Sequence, residues 1–331
     1  MIVTLAAILG GLVLLVLGAE ALIRGATRLA EGFGVSPLLI GLTVVGFGTS
    51  TPELVTSVQG AIAGSPGIAV GNIVGSNIFN ILVILGLSAL IQPLAVSASA
   101  LKRDAGIVIA TALLLTGIGL VWTLDRVTGA VFLAGLAADL VYAWRQERTP
   151  APAAGHTAAY DKAEAAEGLD PGLRPRAGVA PSPLRWVKAL AFAVAGLALL
   201  VTGSRFFVGG AIDLAQALDI SETVIGLTIV AAGTSMPELA TSALAAMRRQ
   251  ADVAIGNILG SNIYNILGIG GVTAILSPTP VPETIAGFDN FVMLAVSVVL
   301  LAMLWTGRRL SRIEGAILFA GYLAYVWAIW P

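Results

Sequence analysis

Long apolar runs broken by short polar stretches fill the chain from residue 2 to residue 330. A membrane-spanning helix needs about 20 apolar residues. By that measure the first half holds five segments, at roughly 2–30, 37–62, 68–92, 103–123 and 127–145. The second half holds five more, at roughly 185–217, 222–247, 252–276, 285–306 and 311–330. Between them, residues 147–184 are rich in Pro, Ala, Gly and charge: Thr149-Pro150-Ala151-Pro152, then Asp161, Lys162, Glu164 and Glu167. That stretch is too polar to span and too short to fold as a domain, so it reads as a flexible linker. The predicted organisation is a five-helix repeat at 1–146, a linker at 147–184 and a second five-helix repeat at 185–331.

The two halves share motifs at a constant offset of 185 residues. Gly46-Phe47-Gly48-Thr49-Ser50-Thr51-Pro52-Glu53 matches Ala231-Ala232-Gly233-Thr234-Ser235-Met236-Pro237-Glu238. Gly71-Asn72-Ile73-Val74-Gly75-Ser76-Asn77-Ile78-Phe79-Asn80 matches Gly256-Asn257-Ile258-Leu259-Gly260-Ser261-Asn262-Ile263-Tyr264-Asn265. Five spans is an odd number, so the second copy starts from the opposite side of the bilayer. The expected fold is all-α and integral to the membrane: ten helices in two inverted five-helix repeats, related by an axis in the membrane plane.

Composition agrees, with 57% hydrophobic and 11% charged residues. The absence of cysteine excludes disulfides and thiolate metal sites. The one histidine, His156, lies in the linker and reads as a solvated loop residue, so a His-rich metal site is excluded. The N-terminal run continues into Glu20 and Arg24 without a small-residue cleavage site and reads as a retained helix. Of the 18 Lys and Arg residues, 16 fall on the side that receives Arg24, Lys102, Arg103 and the linker, one (Arg126) falls opposite, and Arg205 lies within a span. The positive-inside rule makes the linker side cytoplasmic and both termini external, in the cell inner (plasma) membrane.

Each copy of the first motif puts a proline and a carboxylate inside an apolar run. Pro52 and Pro237 free the carbonyls of Gly48 and Gly233. Freed carbonyls in lipid are tolerated where they line a cavity or bind something. Thr49, Ser50 and Glu53 have the spacing of one helix face, as do Thr234, Ser235 and Glu238. Ser76 with Asn80, and Ser261 with Asn265, follow the same i,i+4 spacing, and Gly71, Gly75, Gly256 and Gly260 allow close helix approach. A single Ser, Thr or Gly here is equally a packing residue, and an isolated glutamate can be a protonated one. Two glutamates at symmetric positions, each after Thr-Ser-x-Pro, point to function. Asn72, Asn77, Asn257 and Asn262 read as caps of broken helices. Two carboxylates with hydroxyl, amide and carbonyl oxygens suit a hard cation such as Ca²⁺ or Na⁺.

These paired motifs resemble the α-repeats of the calcium/cation antiporter superfamily, and within it the prokaryotic sodium/calcium exchangers. The resemblance covers all ten segments and implies four ion sites at the midplane. It implies that Glu53 and Glu238 bind Ca²⁺ and share Na⁺ sites, with backbone carbonyls from Thr49 and Thr234. Ser50, Ser76 and the Gly46 carbonyl would form the cytoplasmic-side Na⁺ site. Ser235, Ser261 and the Ala231 carbonyl would form the external one, and Asn80 and Asn265 would line the centre. Many exchangers carry aspartate where this chain has Asn265. Proton-driven exchangers of the superfamily typically place a glutamate in the Gly-Asn motif; here that neighbourhood reads Gly75-Ser76-Asn77 and Gly260-Ser261-Asn262, which favours Na⁺.

The implied activity is Na⁺/Ca²⁺ antiport by alternating access, with H⁺/Ca²⁺ or other divalent exchange as the alternative. The first and sixth helices would slide as a pair across the rest. Glu20 and Arg205, also 185 apart, are expected to pair or lie close. The transported ions and the bilayer are the only partners implied: no cofactor, nucleic acid or protein. An ion channel would not require inverted repeats around a midplane site. An intramembrane enzyme lacks its residues: one histidine rules out a serine/histidine mechanism, and Asp104, Asp139 and Asp213 share no motif and read as near segment ends. The linker carries no acidic cluster for regulatory calcium.

Overall fold

A computed structural model describes residues 2–32, 46–96, 104–121, 123–148, 183–249 and 251–330. The two longest helices are α1 (Ile2–Gly32) and α7 (Pro183–Ala217). Next in the first half come α2 (Gly46–Thr49), α3 (Thr51–Ile62), α4 (Pro66–Ile91), α5 (Gly106–Val121) and α6 (Arg126–Arg148). In the second half, α8 (Glu222–Thr234) and α9 (Met236–Met247) precede α10, which joins Ala251–Ile263, Tyr264–Ile269 and Gly270–Leu276. The last two are α11 (Ile285–Gly307) and α12 (Arg312–Ile329). Seven described helices are long and apolar enough to cross a membrane, eight if bent α8–α9 is one span, and Gly106–Leu120 is a shorter apolar helix. This is a multi-pass helical membrane protein. Residues 37–45 of the expected second span, and 149–182 of the expected linker, lie outside the described residues.

The prolines break their helices instead of only kinking them. Ser50 (φ −88°, ψ 11°) separates α2 from α3, and Ser235 (φ −83°, ψ 13°) separates α8 from α9, which are bent by 51°. Pro52 and Pro237 then sit in the first turn of the second piece, where the missing N–H costs nothing. In α4 and α10 the second motif ends in a π-helical stretch, Asn80–Leu85 and Tyr264–Ile269. Such wide turns re-aim side chains and recur at functional sites.

The last helix of each half packs antiparallel on the third helix of the other. Gly86 of α4 meets the Gly315 backbone of α12, and Gly129 of α6 meets that of Gly271 in α10. The flanking loops repeat this exchange. Strand β1 (Leu94–Ala95) pairs antiparallel with β2 (Arg309–Leu310), and Leu124 bridges Thr279.

Helices α1 and α7 form a separate antiparallel pair. Gly11, Gly18 and Gly25 recur every seven residues, as do Gly196, Gly203 and Gly210. A Cβ on Gly11 would lie 2.6 Å from the Phe207 amide nitrogen, one on Gly18 would lie 2.8 Å from that of Leu200, and one on Gly25 would lie 2.4 Å from that of Ala193. The two backbones therefore touch without intervening side chains. The apolar core divides accordingly: α1 and α7 share one cluster with parts of α4 and α8, while a larger cluster joins the other helices.

This register corrects the expected Glu20–Arg205 pairing. Equivalent residues of antiparallel helices meet only at the crossing point and separate by two residues for each step away from it. Glu20 lies level with about residue 198 and Arg205 with about residue 13, so they are ~10 Å apart along the axis. Glu20 pairs instead with Arg24, one turn along its own helix, while Arg205 is exposed.

Candidate ion-binding site

Both helix breaks open onto the middle of the bundle, and the two glutamates just beyond them are buried, each 1% exposed. Their hydrogen bonds cross between the halves. The Ser50 hydroxyl donates to Glu238 Oε1 at 3.2 Å, and the Ser235 hydroxyl donates to Glu53 Oε1 at 3.0 Å. The i,i+3 spacing predicts each serine on the same face as its own glutamate; the break at that serine turns it towards the other one.

The asparagines of the second motif brace the breaks from neighbouring helices. Asn72 Nδ2 donates to the Glu53 carbonyl at 3.1 Å and to Ser57 Oγ at 2.8 Å. Asn257 Nδ2 does the same to the Glu238 carbonyl at 3.4 Å and Ser242 Oγ at 2.8 Å, and also reaches Thr241 Oγ1 at 2.7 Å. Asn72 and Asn257 thus tie down carbonyls of an adjacent helix, a role beyond capping. Asn77 donates to the Ile73 carbonyl of its own helix. Ser57 and Ser242, again 185 apart, were legible as a repeated pair but carry no motif of their own.

The Thr234 hydroxyl donates across the halves to Asn72 Oδ1 at 3.0 Å, with the Val230 and Ala231 carbonyls of its own helix as further acceptors at 3.1 and 3.3 Å. Ser261 donates to the Asn257 carbonyl. Asn80 Nδ2 donates to Asn262 Oδ1 at 3.0 Å, a contact between the halves that spacing does not announce. Thr49 and Ser76 are buried beside these groups, and Gly46 opens α2. Several buried atoms make no hydrogen bond: Ser76 Oγ, Asn77 Oδ1, Asn80 Oδ1, and both Oδ1 and Nδ2 of Asn265. Buried polar atoms are nearly always paired, so such a group marks a site built for something else. Among the described residues, no three His, Cys, Asp or Glu side chains come together. The donor set is two carboxylates with hydroxyl and amide oxygens, which is the chemistry of a hard cation.

The sequence matches the family described as sodium/calcium exchanger protein over residues 3–145 and 188–330. The chain belongs to that family. Among its relatives, CaxA of Alkalimonas amylolytica, a candidate antiporter, is 38% identical and covers 98% of both chains. The sodium/calcium exchanger MaX1 of Methanosarcina acetivorans is 33% identical, with 96% of this chain and 95% of the relative covered. A solved structure of the sodium-calcium exchanger NCX_Mj, soaked with Na⁺ and Sr²⁺, is 30% identical, covers 98% of both chains and superimposes with a TM-score of 0.58. The two stretches matched by the sodium/calcium exchanger family flank the expected linker, one in each half.

Proposed function

We propose that this protein is a secondary-active antiporter that exchanges Na⁺ for Ca²⁺ across the cell inner membrane. The observation that carries the reading is the crossed pair of buried glutamates, each held by the serine of the other half. Glu53 and Glu238 bind Ca²⁺, with backbone carbonyls from Thr49 and Thr234. Ser50, Ser76 and the Gly46 carbonyl hold Na⁺ towards the cytoplasm; Ser235, Ser261 and the Ala231 carbonyl hold it towards the outside. Asn80 and Asn265 line the centre. The buried oxygens of Ser76, Asn80 and Asn265 that make no hydrogen bond support these roles. The named relatives MaX1 and NCX_Mj support Na⁺ and Ca²⁺ as the cargo.

The reading places ten spans in two inverted halves, residues 1–146 and 185–331, with a cytoplasmic linker and both termini outside. Because both ions need the same carboxylates, they cannot be bound together, and exchange is obligatory. Alternation requires that the ions favour the inward and outward states differently. The α1–α7 pair, joined backbone to backbone, is suited to slide as one body.

The test is ⁴⁵Ca²⁺ flux in proteoliposomes under imposed gradients. A sodium gradient should drive uptake and a proton gradient should not; the reverse result would select H⁺/Ca²⁺ exchange. Glu53→Gln should abolish uptake while the protein stays folded. Robust sodium-driven uptake by that variant would refute the site.

A further inference from the structure

Helix α7 turns a buried face towards the bundle, and one residue on that face is polar. Val208, Ala211 and Ala215 lie along it, and Ser204 stands one turn before Val208, fully buried. Gly203 and Gly210 mark the neighbouring face, where an added Cβ would meet Leu14 and Ile8 of α1. Ser204 is therefore turned from α1 towards the bundle. Val208 and Ala211 share an apolar cluster with Val224, Ile225 and Val230 of α8, and Val55 of α3 packs against it.

The Ser204 hydroxyl makes no hydrogen bond. A buried helical hydroxyl that only packs gives its proton to a carbonyl about one turn back. Thr111 does so to Val108, Thr116 to Ala112, Thr228 to Val224 and Ser297 to Met293. Ser204 does not. It shares this with Ser76, Asn80 and Asn265, which also keep buried oxygens without partners.

The register of α7 on α8 sets what Ser204 faces. Phe207 lays its ring on Gly233, where an added Cβ would lie 2.8 Å from Phe207 Cζ. The two residues lie 13 positions either side of Ile220 in the connecting turn, so α7 and α8 run antiparallel. One turn back along α7, from Phe207 to Ser204, is then a step onward from Gly233 towards Ser235. The Ser235 hydroxyl holds Glu53. Helix α7 also packs on α3, which carries Glu53. Ser204 thus approaches the Ser235–Glu53 link from the side of the sliding pair. The equivalent residue of α1, 185 positions earlier, is Ala19, which offers a methyl group.

Resting on the antiporter reading above, we propose that Ser204 is a Na⁺ ligand carried by the sliding pair. Its hydroxyl oxygen joins Ser235, Ser261 and the Ala231 carbonyl at the external-side site while α7 is seated on α3 and α8. When the pair slides, the oxygen leaves with it. The site then binds Na⁺ differently in the two states, which is the differential affinity that alternation requires. A neutral oxygen adds a ligand without adding charge, so Ca²⁺ at the two carboxylates is little affected. Ala19 supplies no such oxygen, so the cytoplasmic-side site lacks this dependence.

The full-length protein is tested by ⁴⁵Ca²⁺ flux in proteoliposomes across a series of Na⁺ concentrations. Ser204→Ala, which installs the side chain found at Ala19, should raise the half-saturating Na⁺ concentration roughly three- to tenfold, the effect of losing about one hydrogen bond's worth of binding. The half-saturating Ca²⁺ concentration, measured as Ca²⁺/⁴⁵Ca²⁺ exchange without Na⁺, should shift less than twofold. Ser204→Thr, which keeps the hydroxyl, should restore the Na⁺ value. In purified protein, NaCl in place of choline chloride should raise the unfolding temperature of the wild type more than that of Ser204→Ala. An unchanged Na⁺ value in Ser204→Ala, or a Ca²⁺ shift as large as the Na⁺ shift, with normal wild-type exchange would overturn the ligand role alone. Loss of the sodium-driven signal in the wild type would overturn both readings.

Discussion

Glu53 and Glu238 sit where an uncompensated charge is costly, and the structure surrounds them with donors supplied from a distance. Each accepts from a serine of the other half, and each has its backbone carbonyl held by an asparagine of the following helix. The bracing residues and the ion-facing residues therefore separate by what they bond. Asn72 spends its amide on the Glu53 carbonyl and Ser57; Asn265 spends its amide on nothing. Asn72→Ala strands a buried carbonyl and a buried hydroxyl, at a cost of about 1–3 kcal/mol. Thermal unfolding in detergent should register that loss. Asn265→Ala should leave the unfolding temperature nearly unchanged and weaken ion binding, read as less stabilisation of the protein by added Ca²⁺. Equal destabilisation by both substitutions would remove the distinction.

At the scale of elements, the α1–α7 pair rests on glycines where the helices touch, and not on glycine content as such. A side chain on Gly18, or on Gly196, would meet the facing backbone at 2.8 or 2.4 Å. Gly10 and Gly209 lie on the same two helices, and a Cβ at either would have nothing within 4 Å. Gly18→Leu and Gly196→Leu should force the helices apart and abolish transport, whereas Gly10→Ala and Gly209→Ala should be neutral in the same flux assay. Transport that survived Gly18→Leu would show that the tight contact is dispensable. The seven-residue glycine spacing was legible in the sequence. That the two stripes face each other, and with what offset, was not, which is why Glu20 and Arg205 could be matched by repeat position and still lie about two turns apart.

For the whole molecule, the halves are interlocked and not merely adjacent. Helix α12 packs on α4, α6 packs on α10, and β1–β2 and the Leu124–Thr279 bridge tie loops of opposite halves. Each half alone lacks the serine that holds its glutamate. Residues 1–146 and 185–331 produced as two separate chains in one cell should therefore co-purify and restore sodium-driven ⁴⁵Ca²⁺ uptake, while either alone should give none. Failure of the pair with a stable, soluble yield of each would argue against the linker being a passive tether. The chain alone determined the membrane class, the doubled motifs, the broken-helix prolines and the two acidic residues at the centre, because apolar run length and a constant offset are properties of order along the chain. Only the tertiary structure decided which serine serves which glutamate, that Glu20 turns to Arg24, and that Asn80 meets Asn262 across the halves. Those pairings depend on how rigid helices seat against one another, and a shift of a single turn in that seating, ~5.4 Å, replaces every partner without altering one letter of the sequence.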